Sequence, residues 1–100
     1  MNIIDEHIKD ITKICRQHKV KHLYAFGSAL HENFNEDSDV DLIVSFDPME
    51  VNGYADNYFD LKFSLQELLN RPIDLLEERY IRNPFFKSSV DSNKKLIYGH

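Results

Sequence analysis

Two carboxylates and a Gly-Ser pair carry the chemistry this sequence can do. Asp39 and Asp41 open the run DVDLIVSF, and Gly27-Ser28 closes the run VKHLYAF about ten residues earlier. Side chains alternate along a strand, so Asp39 and Asp41 share one face, while Val40, Leu42 and Val44 share the other. Two negative charges held that close repel unless a cation or a shared proton relieves them. Hard divalent cations favour such oxygen ligands. Gly27 lets backbone approach a phosphate closely, and Ser28 adds a hydroxyl donor. If a helix begins after Ser28, its free N–H groups also favour an anion. A phosphate site beside a metal site suits a metal–triphosphate ligand. Asp74, flanked by Ile73 and Leu75, is a third carboxylate able to join the metal cluster or polarise an attacking hydroxyl.

These residues need elements to hold them. Ile4, Ile8, Ile11, Ile14 and Cys15 recur at helical spacing and predict an amphipathic helix over residues 3–18. Val20 to Phe26 reads as a strand ending at a tight turn, and Asp39 to Phe46 as a second strand closed by Asp47-Pro48. Between them, Ala29 to about Phe34 is short helix or irregular chain, and Asn35 to Ser38 is turn-forming. That connection is short for a parallel crossover, so the two strands are expected as antiparallel neighbours. Ala55 to Asn70 predicts a long helix, stopped by Asn70-Arg71-Pro72. It is long enough to return the chain across the sheet, so Ile73 to Leu76 becomes a third strand, parallel to the second. A helical piece within 78–91, broken or begun at Asn83-Pro84, precedes an edge strand over Lys95 to Tyr98. The expected architecture is α/β (α+β): a small mixed sheet with helices largely on one face, in one domain over residues 1–100.

Composition narrows the function classes. Twelve Lys and Arg against seventeen Asp and Glu give a formal charge of -5. That argues against a broad nucleic-acid surface, which needs clustered cations. It leaves room for a nucleotide whose charge a metal offsets. Cys15 is the single cysteine, so no internal disulfide forms, and a reducing, cytoplasmic setting is expected. No apolar run reaches the roughly 18 residues of a membrane span.

Phe26-Gly27-Ser28 followed by Asp39-Val40-Asp41-Leu42-Ile43-Val44 resembles the signature of the DNA polymerase β-like nucleotidyltransferase superfamily. The short chain is similar to its minimal branch. Arg71-Pro72-Ile73-Asp74-Leu75-Leu76 resembles the family's third-carboxylate strand, and Leu96-Ile97-Tyr98-Gly99 the branch's C-terminus. The resemblance implies transfer of AMP from ATP to a hydroxyl acceptor with release of pyrophosphate. It implies two Mg²⁺ ions on Asp39 and Asp41, with Ser28 on the terminal phosphates and Asp74 helping to deprotonate the acceptor. It also implies a partner: minimal members are often antitoxins of helical HEPN ribonuclease toxins, acting by binding, by adenylylating a tyrosine, or by both. A non-catalytic antitoxin that neutralises its toxin by contact alone is the alternative.

One departure bears on that choice. Many relatives place an Arg shortly after Gly-Ser, where this chain has Ala29, Leu30 and His31. A phosphate-neutralising charge is missing, and the cleft is expected to be half-open, inviting self-association or a partner that completes it. The five histidines show no zinc spacing. Tyr54, Tyr58 and Phe59 read as core aromatics or, if exposed, as a base-stacking or partner patch. Of Phe85 and Phe86, one is expected partly exposed, as a contact for a partner helix.

Overall fold

A computed structural model describes residues 2–27 and 39–99. The elements run α1 (Asn2–Glu6), α2 (Ile8–Gln17), β1 (Val20–Phe26), β2 (Val40–Phe46), α3 (Tyr54–Leu69), β3 (Ile73–Glu77), a 3-10 turn over Glu78–Tyr80, α4 (Pro84–Asn93) and β4 (Lys95–Tyr98). The four strands lie in the order β3-β2-β1-β4. β1 pairs antiparallel with β2 and with β4, while β2 pairs parallel with β3. The expected mixed sheet and its pairing directions are thus found.

Alternation sorts the sheet into two faces. Leu23 and Ala25 of β1, Val40, Leu42 and Val44 of β2, and Ile73 and Leu75 of β3 form one apolar face. Ile4 of α1, Ile11 and Cys15 of α2, and Leu61, Leu65 and Leu69 of α3 close over it in a single cluster. Burying such side chains supplies about 25 cal/mol per Å² of apolar area, the main favourable contribution to folding. The other face carries Tyr24 and Phe26. Phe26 meets Phe86 of α4 edge to face at 6.0 Å, and the Lys94 ammonium lies 4.2 Å from the centre of the Tyr24 ring. Three helices therefore share one face, and α4 lies against part of the other.

The first helix departs from expectation. It is two pieces, broken at His7, whose N–H bonds Ile4 O at 3.2 Å in a tightened turn. Ile4 and Ile11 are both buried on either side of the break, but Ile8 falls 37% exposed. Periodicity continues across the break because seven residues return to the same face of either piece. The other ends follow local chemistry. Asn70 stops α3 in the left-handed conformation at φ 54°. Asn83 starts α4 by accepting from the N–H groups of Phe85 (2.9 Å) and Phe86 (3.1 Å), with Pro84 in the first turn.

β3 lies at one edge of the sheet, where bare N–H and C=O groups would face outward. α3 closes that edge. The N–H of Ile73 donates to Gln66 Oε1 at 3.2 Å, and the Tyr58 hydroxyl donates to the carbonyl of Leu75. Among the described residues no helix is long and apolar enough to cross a membrane.

Candidate active site

The site is built where β1 ends and where β2 and β3 begin. In the β1–β2 pairing Phe26 stands opposite Asp41, and in the β2–β3 pairing Asp41 stands beside Asp74. Neighbouring strands lie about 4.8 Å apart, and residues in register project to the same side. Asp41 and Asp74 thus emerge together on the face away from the main core. Gly27 takes φ +63°, and a Cβ built there would lie only 2.7 Å from Asp41 Oδ2. The glycine is therefore a condition of the arrangement: it turns the chain sharply and lets a carboxylate rest against the backbone.

The predicted residues are placed unequally. Asp41 is half-buried and Asp74 exposed, side by side. Asp39 is exposed, just before the first residue of β2, so it stands at the margin of that pair. Among the described residues no group of three or more His, Cys, Asp or Glu is gathered closely enough to hold a metal ion. Ser28 lies outside the described residues, as do the expected segments over 29–34 and 35–38. The donor set suits a hard cation all the same: carboxylate oxygens on adjacent strands, with bare backbone at Gly27 leaving space beside Oδ2.

Sequence reading missed the residues behind Asp74. Tyr58 packs against the core as its helical spacing predicts, and its hydroxyl also holds the carbonyl next along the strand from Asp74. Burial raises the Tyr58 phenol above its ordinary value, and the nearby Asp74 charge adds to the rise. The phenol therefore keeps its proton, and with it the hydrogen bond, at neutral pH. Helical spacing marked Tyr58 as inward-facing, but no spacing rule says which carbonyl a phenol will reach. The neighbouring Phe59 and Phe63 are about half exposed and stack on each other at 6.0 Å. Of the later pair, Phe85 is almost wholly exposed and Phe86 less so.

A separate cavity of about 780 Å³ opens toward the far ends of β2 and β3. Its walls include Lys21, His22, Arg79, Lys87 and Lys94, but none of Gly27, Asp39, Asp41 or Asp74. Its cations are largely answered by neighbours: Arg79 pairs with Glu77, Lys94 with Glu78 (3.0 Å) and Asp91 (3.3 Å), and Lys87 with Asp91 (3.3 Å). Burial raises the Glu77 carboxyl above its ordinary range, and Arg79 partly reverses the shift. These residues come from several elements with no common spacing, so no motif marks the cavity.

A small mixed sheet with paired carboxylates beside a glycine turn defines a class, and comparison agrees. The polymerase beta nucleotidyltransferase family model matches residues 9–100. The chain belongs to that family and is a nucleotidyltransferase. A protein of Methanocaldococcus jannaschii, provisionally named a protein adenylyltransferase, is 35% identical over 98% of this chain and 99% of its own. Among solved structures, a provisionally assigned minimal nucleotidyltransferase superposes with a TM-score of 0.76 at 25% identity, covering 95% of each chain. A chain from a complex of a tri-AMPylated Shewanella oneidensis HEPN toxin with its minimal nucleotidyltransferase antitoxin superposes with a TM-score of 0.65 at 21% identity. The match covers 96% of this chain and 72% of that one.

Proposed function

We propose that the chain acts as one minimal domain over residues 1–100 that transfers AMP from ATP to a protein hydroxyl. The observation that carries this reading is Asp41, set against the Gly27 backbone and in register with Asp74. Gly27 and Ser28 receive the triphosphate. Asp39, Asp41 and Asp74 are the ligands for Mg²⁺, two ions in the fullest form, with Asp39 turning inward from the margin as the nucleotide binds. Bound there, Mg²⁺ supplies positive charge to the oxygens around the α-phosphorus. The acceptor oxygen attacks the α-phosphorus, the bond to the β-bridging oxygen breaks, and pyrophosphate leaves. Asp74 takes the hydroxyl proton.

The acceptor we favour is a tyrosine on a HEPN-type toxin, which makes the chain a cytoplasmic antitoxin. Support comes from the adenylyltransferase name of the archaeal relative and from the AMPylated toxin in the Shewanella complex. No direct nucleic-acid contact or membrane anchoring enters the reading. One observation favours the second reading, a binding antitoxin without catalysis: Ala29, Leu30 and His31 follow Gly27-Ser28 where many relatives carry a phosphate-neutralising Arg.

Calorimetric titration of ATP separates the two readings. It is run with Mg²⁺, with EDTA, and with Asp39→Asn and Asp41→Asn. Catalysis requires binding that depends on both metal and carboxylates. Absence of ATP binding, with toxin neutralisation intact in both variants, would sink the enzymatic reading.

A further inference from the structure

Asp74 sits on an edge strand, and edge strands are the part of a sheet most free to slip or fray. Its partner Asp41 lies on an inner strand, paired on both sides. An edge strand that shifts by one residue turns every side chain to the opposite face. The register Asp41 to Asp74 is therefore only as secure as β3 itself, which is five residues long.

The outer side of β3 is held at two points that straddle Asp74. The N–H of Ile73 donates to Gln66 Oε1, and the carbonyl of Leu75 accepts from the Tyr58 hydroxyl. Residues two apart on a strand direct their backbone groups to the same side, so both bonds engage the outer edge. The backbone of Asp74, between them, is turned to β2. Tyr58 and Gln66 both belong to α3, eight residues apart, which puts them on one side of the helix. α3 is itself anchored in the core by Leu61, Leu65 and Leu69. It also reaches the C-terminal cap of α2, where Asn57 Nδ2 donates to His18 O at 2.7 Å.

We infer that Tyr58 and Gln66 are positioning residues, a two-point clamp from α3 that fixes β3 in the register placing Asp74 beside Asp41. The inference rests on the reading of Asp74 as a metal ligand. Neither side chain touches the reacting atoms; each acts through the strand. Tyr58→Phe keeps the ring and removes only the hydroxyl, leaving the Leu75 carbonyl unanswered. Gln66→Met keeps the length of the side chain and removes the acceptor for Ile73.

The test is Mn²⁺ binding in the presence of ATP, followed by electron paramagnetic resonance. It covers the parent, Tyr58→Phe, Gln66→Met, Asp74→Asn and the double variant Tyr58→Phe/Asp74→Asn. Thermal unfolding identifies any variant that fails to fold; Gln66→Met then stands in for Tyr58→Phe, and the reverse. Loss of a group that orients a metal ligand typically weakens affinity by about tenfold or more. A loss of that order is expected for each clamp variant and for Asp74→Asn. Adding Tyr58→Phe to Asp74→Asn is expected to produce no further loss, because the clamp acts through Asp74. Parent-like affinity in folded clamp variants, with Asp74→Asn weakened, would overturn the clamp and leave the metal reading standing. Losses that multiply in the double variant would also overturn it, since Tyr58 would then act elsewhere. Unchanged affinity in Asp74→Asn would remove the metal-ligand reading of Asp74 and the clamp with it.

Discussion

The two ends of β1 rest on glycines with positive φ, and the resemblance stops there. At the exit, Gly27 leaves room for the Asp41 carboxylate; at the entry, Gly99 lies against β1 from the end of β4. A Cβ at Gly27 would meet a side-chain oxygen at 2.7 Å. A Cβ at Gly99 would lie 2.2 Å from the backbone oxygen of Lys21 and 2.7 Å from the His22 ring. A short side chain can swing aside, but a carbonyl inside a paired strand cannot move without its neighbours. One end is shaped around a carboxylate that we propose as a metal ligand, and the other around the chain itself. The same residue type therefore makes room for a side chain at one end and closes the sheet at the other.

That contrast can be broken experimentally. Gly99→Ala adds a backbone collision to a φ of 102°. It is expected to lower stability by about 3 kcal/mol in urea unfolding. A variant as stable as the parent would mean that β4 is not pinned at this point. Gly27→Ala is expected to lower stability by only about 1 kcal/mol, the usual strain of the left-handed region. Its main effect falls on function: displaced Asp41 should weaken calorimetric binding of Mg²⁺ with ATP by about tenfold or more. If the two alanine variants lost stability and ATP binding in the same proportion, the division of labour would be wrong.

Two smaller effects sharpen the comparison by sparing both ends. Cys15 of α2 is fully buried, and burial pushes its thiol from 9.0 up to about 12. The folded thiol keeps its proton where the unfolded one loses it. Stability should thus be flat below about pH 9 and then fall as pH rises toward 12, by at most ~1.4 kcal/mol per pH unit from this group. Cys15→Ala should flatten that part of the profile in urea unfolding followed between pH 8 and 11. Asn83→Ala removes both N-cap bonds of α4 and should lower stability by about 1 kcal/mol. Its thermal midpoint should drop while binding of ATP holds, since among the described residues α4 approaches the carboxylate end through the Phe86–Phe26 ring contact and supplies none of the carboxylates.

Much of this fold could be read in advance because its signals are local. Alternation in DVDLIVSF fixed the faces of β2, and the short connection from Ser28 to Asp39 set its direction against β1. The polar stop at Asn70-Arg71-Pro72 placed β3 and brought Asp74 to the level of Asp41. What escaped depends on neighbours remote in sequence. Ile43 shares a face with Asp41 by alternation, yet it is fully buried and lies outside the main cluster. The break at His7 is invisible to a seven-residue apolar repeat. The Tyr58 and Gln66 bonds to β3 depend on where α3 crosses the edge, which side-chain type alone does not state.

The strand order also fixes a sequence of events during synthesis. β2 follows β1 from the ribosome after a short interval and can cover one side of it. The other side waits for β4, since Leu23, Tyr24 and Ala25 take their partners from residues 95–98. At about 5–20 residues per second that wait lasts several seconds. Throughout it, an aromatic and β-branched strand presents open N–H and C=O groups to neighbouring nascent chains. The tempo of translation through α3 and α4 thus governs how long the growing chain needs shielding from its own siblings.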